Sequence, residues 1–177
     1  MLLLPNPMHQ MLVLICASTA IRASEACGLK WRDIIWNKHQ IKIERRWKAA
    51  CIDKPKTKAS KAPVALSSQL EWFLRQWRSI APNAQDEDWV FPSFKMRGKI
   101  PMCAGIFVTD HLRPAALAAR IEIADGQRFG LHSLRSSMAT WMVSIDREHA
   151  AHRTGDYAEA IRSGGHARNA RSAGAVI

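Results

Sequence analysis

The length, composition and charge of the chain exclude several classes of protein. Its 177 residues suit one domain with a substantial core, and 47% hydrophobic with 23% charged residues is ordinary for a globular protein, not a disordered tail. The formal net charge of +11 indicates attraction to a polyanion, nucleic acid before anything else, although ribosomal and secreted basic proteins share this signature.

The cysteines and the apolar start both favour a cytoplasmic protein. None of the four cysteines forms a Cys-x-x-Cys pair or a spacing typical of zinc, so we expect reduced thiols and no metal. We expect no cofactor either. The start, "MLLLPNPMHQMLVLICASTAIR", has no Lys or Arg before its apolar run, and two prolines interrupt it. We therefore expect a buried helix that begins near Pro7, with no signal peptide and no preceding domain.

The first half of the chain predicts two helices and then short strands. "PMHQMLVLICAST" and "RASEACGL" read as two helical pieces, and Gly28 is a plausible stop. In "DIIWNKHQIKIERRW" the polar "NKHQ" separates two apolar patches, which is typical of a turn between strands. "KPKTKASKAPVAL" predicts a lysine-rich turn that leads into a short apolar strand.

Further along, the sequence predicts two more helices with a buried connection between them. "SSQLEWFLRQWRSIA" has a serine cap and then apolar residues at helical spacing, namely Leu70, Phe73, Leu74 and Trp77. "DEDWVFPS" indicates a short buried connection, and "IFVTDHLRPAALAARIEI" a helix that Pro114 begins or bends. The whole pattern predicts a mainly helical domain with a three-stranded antiparallel sheet near residues 33–66.

Three basic motifs are separated along the chain. "HSLR" places His132 and Arg135 three residues apart, so on a helix they share a face and can hold one anion. The other two are "TAIRASEACGLKWRDI" at 19–34 and "KPKTKASKAPVAL" at 54–66. Each has a plain alternative: His132 as a buried core histidine, Arg22 as a surface arginine paired with Glu25, and the lysines as a solvated hairpin.

Taken in this order, the motifs resemble the catalytic domain of tyrosine recombinases, the phage integrase family. That family carries a T-G-L-R-x-S-E-like motif, a lysine in a β-hairpin within K-T-x-x-S-x-R-x-V-P-L, H-x-L-R at a helix start, then L-G-H and a nucleophilic tyrosine. The resemblance covers about residues 8–145. It assigns the family's site residues to Arg22 with Glu25 beside it, Lys56 (or, less closely, Lys58), His132 and Arg135.

The resemblance implies a fold and a chemistry. The fold is mainly α with a small antiparallel β-sheet. A tyrosine oxygen attacks a DNA phosphodiester, which gives a 3′-phosphotyrosine link and releases a 5′-hydroxyl without a metal. Arg22 and Arg135 would clamp the phosphate oxygens, because a guanidinium pairs two N–H groups with two oxygens and stays charged.

The same resemblance implies roles for the other three residues. Lys56 would give a proton to the leaving oxygen as general acid. His132 would donate to the same phosphate or shuttle a proton. Glu25 would orient the guanidinium of Arg22 without touching DNA.

The C-terminal part departs from the family pattern. Tyr157 is the only tyrosine, and it follows "HSLR" too closely to leave room for the intervening helix. Gly165 and His166 are followed by no tyrosine. We therefore expect an incomplete catalytic domain at 1–149, without the family's core-binding domain, and a poorly ordered Ala/Arg/Gly-rich tail at 150–177. Our hypothesis for the tail is a frameshift near codons 146–152.

The sequence leaves two functions open. The first is a recombinase or integrase that breaks and rejoins DNA, inactive as written because it lacks the nucleophile. The second is a non-catalytic DNA-binding remnant of an integrase. In both cases the expected partner is double-stranded DNA and not a membrane, and because family members work as tetramers, a homo-oligomer on DNA is compatible with the resemblance. A small basic helical protein would explain the charge but not the order of the motifs.

Overall fold

A computed structural model of the chain describes residues 4–48, 51–53, 63–123, 126, 129–137 and 140. The described residues up to 137 belong to one unit, residues 1–138, and Thr140 belongs to a second unit at 139–177. Lys56, Lys58 and Tyr157 lie outside the described residues, as does the predicted tail at 150–177.

Two helices open the chain, as the sequence predicts. Helix α1 spans Pro7–Thr19, and the side chain of its N-cap, Asn6, accepts a hydrogen bond of 2.9 Å from the backbone N–H of Met8. Proline suits the first position of a helix, because the N–H that it lacks would have no partner there. Helix α2 spans Ala23–Cys27, and Gly28 ends it. α1 lies in the core, where most of its apolar residues are buried.

The strands form one small sheet and one separate ribbon. Their bounds in chain order are β1 Ile34–Ile35, β2 Gln40–Ile41, β3 Arg46–Lys48, β4 Cys51–Asp53 and β5 Val64–Ala65. β1, β2 and β5 form an antiparallel sheet in that order, which confirms the sheet predicted near 33–66. The sequence does not predict the separate antiparallel ribbon of β3 and β4.

Helix α3, Ser68–Ile80, begins at the predicted serine cap. The Ser67 hydroxyl accepts a hydrogen bond from the backbone N–H of Leu70. Leu70, Leu74 and Trp77 are buried. Phe73 is 38% exposed and packs edge-on against Trp72. The helical spacing therefore holds for all four residues, but only three of them face the core.

The predicted connection and the next helix are both present. Trp89, Val90 and Phe91 are buried. The backbone N–H of Val90 donates a hydrogen bond of 2.9 Å to the oxygen of Leu29, and its carbonyl oxygen accepts one of 2.9 Å from the indole Nε1 of Trp77. After it, α4 (Ala104–Phe107), a π-helical segment (Val108–Leu112) and α5 (Arg113–Ala118) follow without interruption. Pro114 is the second residue of α5 and follows the π-helical segment directly, so the predicted helix continues through the proline.

The last described helix, α6, covers residues 131–137 and begins just after Gly130. It carries the "HSLR" motif in its first turns, as the resemblance implies. The described structure is thus mainly helical with small antiparallel sheets, which confirms the predicted fold class. Within the described part of the chain, no helix is both long enough and apolar enough to cross a bilayer.

Candidate active site

Arg22 is held by a buried carboxylate at the start of α2. Glu25 accepts hydrogen bonds from the backbone N–H of Arg22 (2.9 Å) and from its guanidinium Nη1 (3.0 Å). The side chain of Glu25 is only 6% exposed, whereas that of Arg22 is 52% exposed. The alternative interpretation as a solvated surface pair is therefore wrong. The carboxylate of Glu25 is buried, and it holds the guanidinium of the exposed Arg22.

His132 and Arg135 lie together at the start of α6. His132 is exposed, so its alternative interpretation as a buried core histidine is wrong. Arg135 is half-buried, and its Nη1 donates a hydrogen bond to the backbone oxygen of Ala20, a residue 115 positions away in sequence. Since Ala20 precedes Arg22 by two residues, this contact ties α6 to the turn that presents Arg22.

The turn itself has an unusual backbone. Ala20 has a φ of +53°, in the left-handed region that most L-residues avoid. The family motif quoted above has glycine at this place, between Thr19 and Ile21. The left-handed residue ends α1, and its carbonyl accepts the bond from Arg135.

Three predicted residues line one cavity of about 530 Å³. Arg22, His132 and Arg135 come from the starts of α2 and α6. The other described residues around the cavity are Ala23, Ser24, Arg46, Trp47, Lys48, Cys103, Ala104, Gly105 and Leu131. None of these described residues is acidic. The cavity is therefore a positively charged recess, and a phosphate group is a suitable ligand for it.

Arg46 and Lys48 are cavity residues that the sequence analysis missed. They are two positions apart on β3, and alternate residues of a strand point to the same face. That alternation in "RRWK" was the available signal. Arg46 also forms an ion pair with Asp53, its cross-strand neighbour on β4.

A close backbone contact fixes β3 against α2. A Cβ atom placed on Gly28 would lie 3.1 Å from the backbone oxygen of Arg45 and 3.2 Å from the Cα of Arg46. Only glycine allows this approach without displacing the strand. Arg45 in turn forms a buried ion pair with Asp33. The carboxylate of Asp33 also accepts a hydrogen bond of 2.8 Å from the backbone N–H of Lys30.

Two of the four cysteines are shielded from reaction. All four are free thiols. Burial raises the pKa of Cys16 to about 12 and also raises the pKa of Cys27. Both thiols therefore stay protonated at neutral pH, and neither is a nucleophile. Cys51 and Cys103 are exposed.

Comparison with known proteins places the chain in a family. The phage integrase family matches residues 5–150. Curated protein sequences give no significant match. The fold is similar to that of the Tn1549 transposon integrase in complex with transposon right end DNA, with a TM-score of 0.63 and 18% identity over 78% of this chain. It is also similar to the same integrase with circular intermediate DNA, with a TM-score of 0.61 and 18% identity over 77% of this chain.

The chain spans about half of those integrase structures, 46% and 47% of their lengths. At this level of identity, the structural similarity shows only a shared fold. The family match, in contrast, covers the sequence of most of the chain. The chain belongs to the phage integrase family.

Proposed function

We propose that the chain acts in DNA integration or site-specific recombination and that its cavity holds one backbone phosphate of duplex DNA. Arg22, His132 and Arg135 would contact that phosphate. One observation carries the proposal: residues from the two ends of the described unit line a single cavity in which no described residue is acidic. A net charge of +11 would add long-range attraction to DNA.

The geometry of the two arginines suits a phosphate clamp. Each guanidinium donates to an acceptor inside the protein, Arg22 to Glu25 and Arg135 to Ala20. Because a guanidinium has five N–H donors in a fixed plane, it can hold an internal acceptor and phosphate oxygens at the same time. The internal contacts set the direction of the planes before DNA binds, so less conformational entropy is lost on binding.

The roles of the remaining residues are carried over from the family resemblance. In strand cleavage, a tyrosine oxygen forms a bond to phosphorus, and the bond from phosphorus to the 5′ oxygen breaks. Lys56 would give its proton to that departing oxygen. His132 would donate a hydrogen bond to a non-bridging oxygen.

Strand cleavage also needs a nucleophile, and this sequence offers no suitable residue for it. Tyr157 is its only tyrosine, and no L-G-H motif precedes it. We propose that the chain as given binds the phosphate without forming a phosphotyrosine link. A non-catalytic DNA-binding remnant of an integrase is the second candidate, because it needs the same clamp and no tyrosine.

Binding of the purified chain to a labelled random-sequence duplex tests the shared part of both candidates. We expect binding on the order of micromolar or weaker at physiological salt, with affinity falling steeply as salt rises. Arg135→Gln should weaken binding at low salt about tenfold, because the variant cannot form the charge-assisted hydrogen bonds to the phosphate.

Arg78→Gln is the matched control. Arg78 lies on α3, forms an ion pair with Asp86 and is not among the described residues that line the cavity. This variant loses the same formal charge, so it should bind nearly as tightly as the unmodified chain. Equal losses in the two variants would show that only the total charge matters, and the clamp would be wrong.

A further inference from the structure

The cavity carries more positive charge than one phosphate requires. Among its described lining residues, Arg22, Arg46, Lys48 and Arg135 are cationic at neutral pH. Glu25 and Asp53 each neutralise one guanidinium from outside the lining. Two formal positive charges remain within the described lining, whereas each phosphodiester of DNA carries one negative charge. The surplus indicates a ligand with more than one phosphate.

Arg46 has the geometry of a fixed anion-binding side chain. Its Nη2 donates to the carboxylate of Asp53, and its side chain is only 18% exposed. Its Nε is buried and has no hydrogen-bond partner among the residues that the structure describes. A buried donor without an acceptor is costly and rare, and each one calls for an explanation. An anion that enters the cavity beside Arg46 would supply the missing acceptor.

The backbone of Arg46 is also held in place relative to Arg22. Its Cα packs against Gly28, which ends the helix that Arg22 begins. The neighbouring Arg45 is anchored by its buried ion pair with Asp33. Arg46 is therefore a preorganised part of the cavity wall, and Lys48 lies on the same face of β3.

We propose that Arg46 binds a second DNA phosphate, next on the same strand to the phosphate held by Arg22 and Arg135. Asp53 holds the guanidinium in position, and Lys48 adds charge to the same subsite. This inference rests on the proposed function, because it extends the contact of the cavity with DNA from one phosphate to two successive ones. It makes the β3–β4 ribbon part of the DNA-binding surface.

The salt dependence of duplex binding tests this inference. Each phosphate that the protein neutralises releases counterions, so the slope of log K against log salt falls in magnitude by about 0.9 for each phosphate that a variant no longer binds. With a labelled random-sequence duplex, Arg46→Gln should lower the slope by about that amount. Arg78→Gln removes an arginine of another Arg–Asp ion pair and should leave the slope unchanged. If Arg46→Gln and Arg78→Gln give the same slope as the unmodified chain, the second phosphate contact is wrong.

Two further variants separate binding from a structural role. Asp53→Asn breaks the same ion pair as Arg46→Gln but leaves the arginine, so it should lose similar thermal stability and yet keep the full salt slope. Arg46→Lys keeps the charge and should also keep the slope, with weaker binding because the planar fork is absent. If Asp53→Asn lowers the slope as much as Arg46→Gln does, Arg46 acts only by holding the ribbon. If Arg46→Gln does not fold, Arg46→Lys decides the question by its affinity, because binding as tight as that of the unmodified chain would show that the guanidinium of Arg46 holds no phosphate.

Arg135→Gln, measured beside them, separates this inference from the proposed function. A loss of affinity with Arg135→Gln and an unchanged slope with Arg46→Gln would overturn the second phosphate alone. If the unmodified chain fails to bind duplex DNA at low salt, or Arg135→Gln binds as the unmodified chain does, both proposals are overturned.

Discussion

At the scale of single residues, Ala20 is one of four described non-glycine residues with a positive φ, and it lies next to the candidate site. Its φ of +53° is strained for alanine and easy for glycine. The strained residue lies beside Arg22 and accepts the bond from Arg135. Backbone strain of this kind persists where the surrounding contacts fix it, and here those contacts belong to the candidate site.

Replacing Ala20 with glycine should therefore stabilise the protein. We expect Ala20→Gly to raise the free energy of unfolding by about 0.5–1 kcal/mol, after the larger loss of chain entropy of glycine is subtracted. Chemical denaturation measures it. Ala115→Gly, within α5 and not at a positive φ, should instead destabilise by about 1 kcal/mol. A loss of stability in Ala20→Gly as large as that in Ala115→Gly would show that the left-handed turn is unstrained.

Replacement of Glu25 offers a second test at this scale. Loss of its orienting contact with Arg22 should weaken DNA binding, whereas loss of its negative charge alone should strengthen it. If the buried carboxylate orients Arg22, then Glu25→Gln should weaken duplex binding about fivefold, roughly 1 kcal/mol, although the net charge becomes more positive. Glu87→Gln is the control, since Glu87 is exposed and pairs with Lys30 and Arg32 outside the described cavity lining. That variant should bind slightly more tightly. Tighter binding in both variants would contradict the orienting role.

At the scale of elements, local signals in the sequence were sufficient where a cap or turn residue marked the boundary. Helix α1 begins at Pro7, after the cap Asn6, and helix α3 begins after the cap Ser67, both where the sequence predicts. α5 ends at Ala118, five residues before the predicted end at Ile123. The helix is terminated by Arg120, which has a φ of +57°. A glycine, the usual sequence signal for such a helix end, is absent at this position.

The ribbon of β3 and β4 depends on contacts that the sequence pattern does not display. Its position is set by Gly28, which has no side chain to pack, and by a buried ion pair between Asp33 and Arg45. Both act between segments far apart in the chain, so neither periodicity nor propensity reveals them. The alternation in "RRWK" indicates that Arg46 and Lys48 share a face, but it does not indicate that this face lines the cavity.

The packing of α1 against the π-helical segment predicts a response to acid. His9 is buried on α1, with its ring centroid 4.2 Å from that of His111 and 5.2 Å from that of Phe107. Burial and the neighbouring His111 lower the pKa of His9 from 6.5 to about 4. As pH falls below 6.5, the unfolded chain takes up the proton before the folded one, so stability is lost between pH 6.5 and 4.

This loss should reach on the order of 3 kcal/mol at pH 4. His9→Phe keeps an aromatic ring and removes the proton site. Thermal unfolding at pH 7 and pH 4 should therefore show a smaller acid-induced decrease in this variant than in the unmodified chain. Equal decreases in the two proteins would mean that His9 is not protonated differently in the folded and unfolded states.

At the scale of the whole molecule, the fold brings together residues from motifs that are far apart in the sequence. Arg22, His132 and Arg135 line one cavity. Lys56 and Tyr157 lie outside the described residues, so their roles remain predictions from the sequence. The order of the motifs could be recognised because each is short and contiguous. Their convergence depends on the packing of distant helices and follows from the fold alone.

Incubation with a nicked suicide duplex tests the missing step. The expected result is no covalent adduct, because attack requires an oxygen held in line about 3 Å from phosphorus, and Tyr157 has no family motif before it. Denaturing electrophoresis detects the adduct directly. An adduct that forms with the unmodified chain and disappears in Tyr157→Phe would show an active enzyme and contradict this prediction.

The central claim is that Arg22 and Arg135 hold the same phosphate, and a double-mutant cycle on duplex binding tests it most directly. Affinities are measured at low salt for the unmodified chain, Arg22→Gln, Arg135→Gln and the double variant. If the two arginines share one phosphate, the double variant should lose less binding energy than the sum of the single losses, by at least about 0.5 kcal/mol. Strictly additive losses, or no loss in either single variant, would contradict the claim.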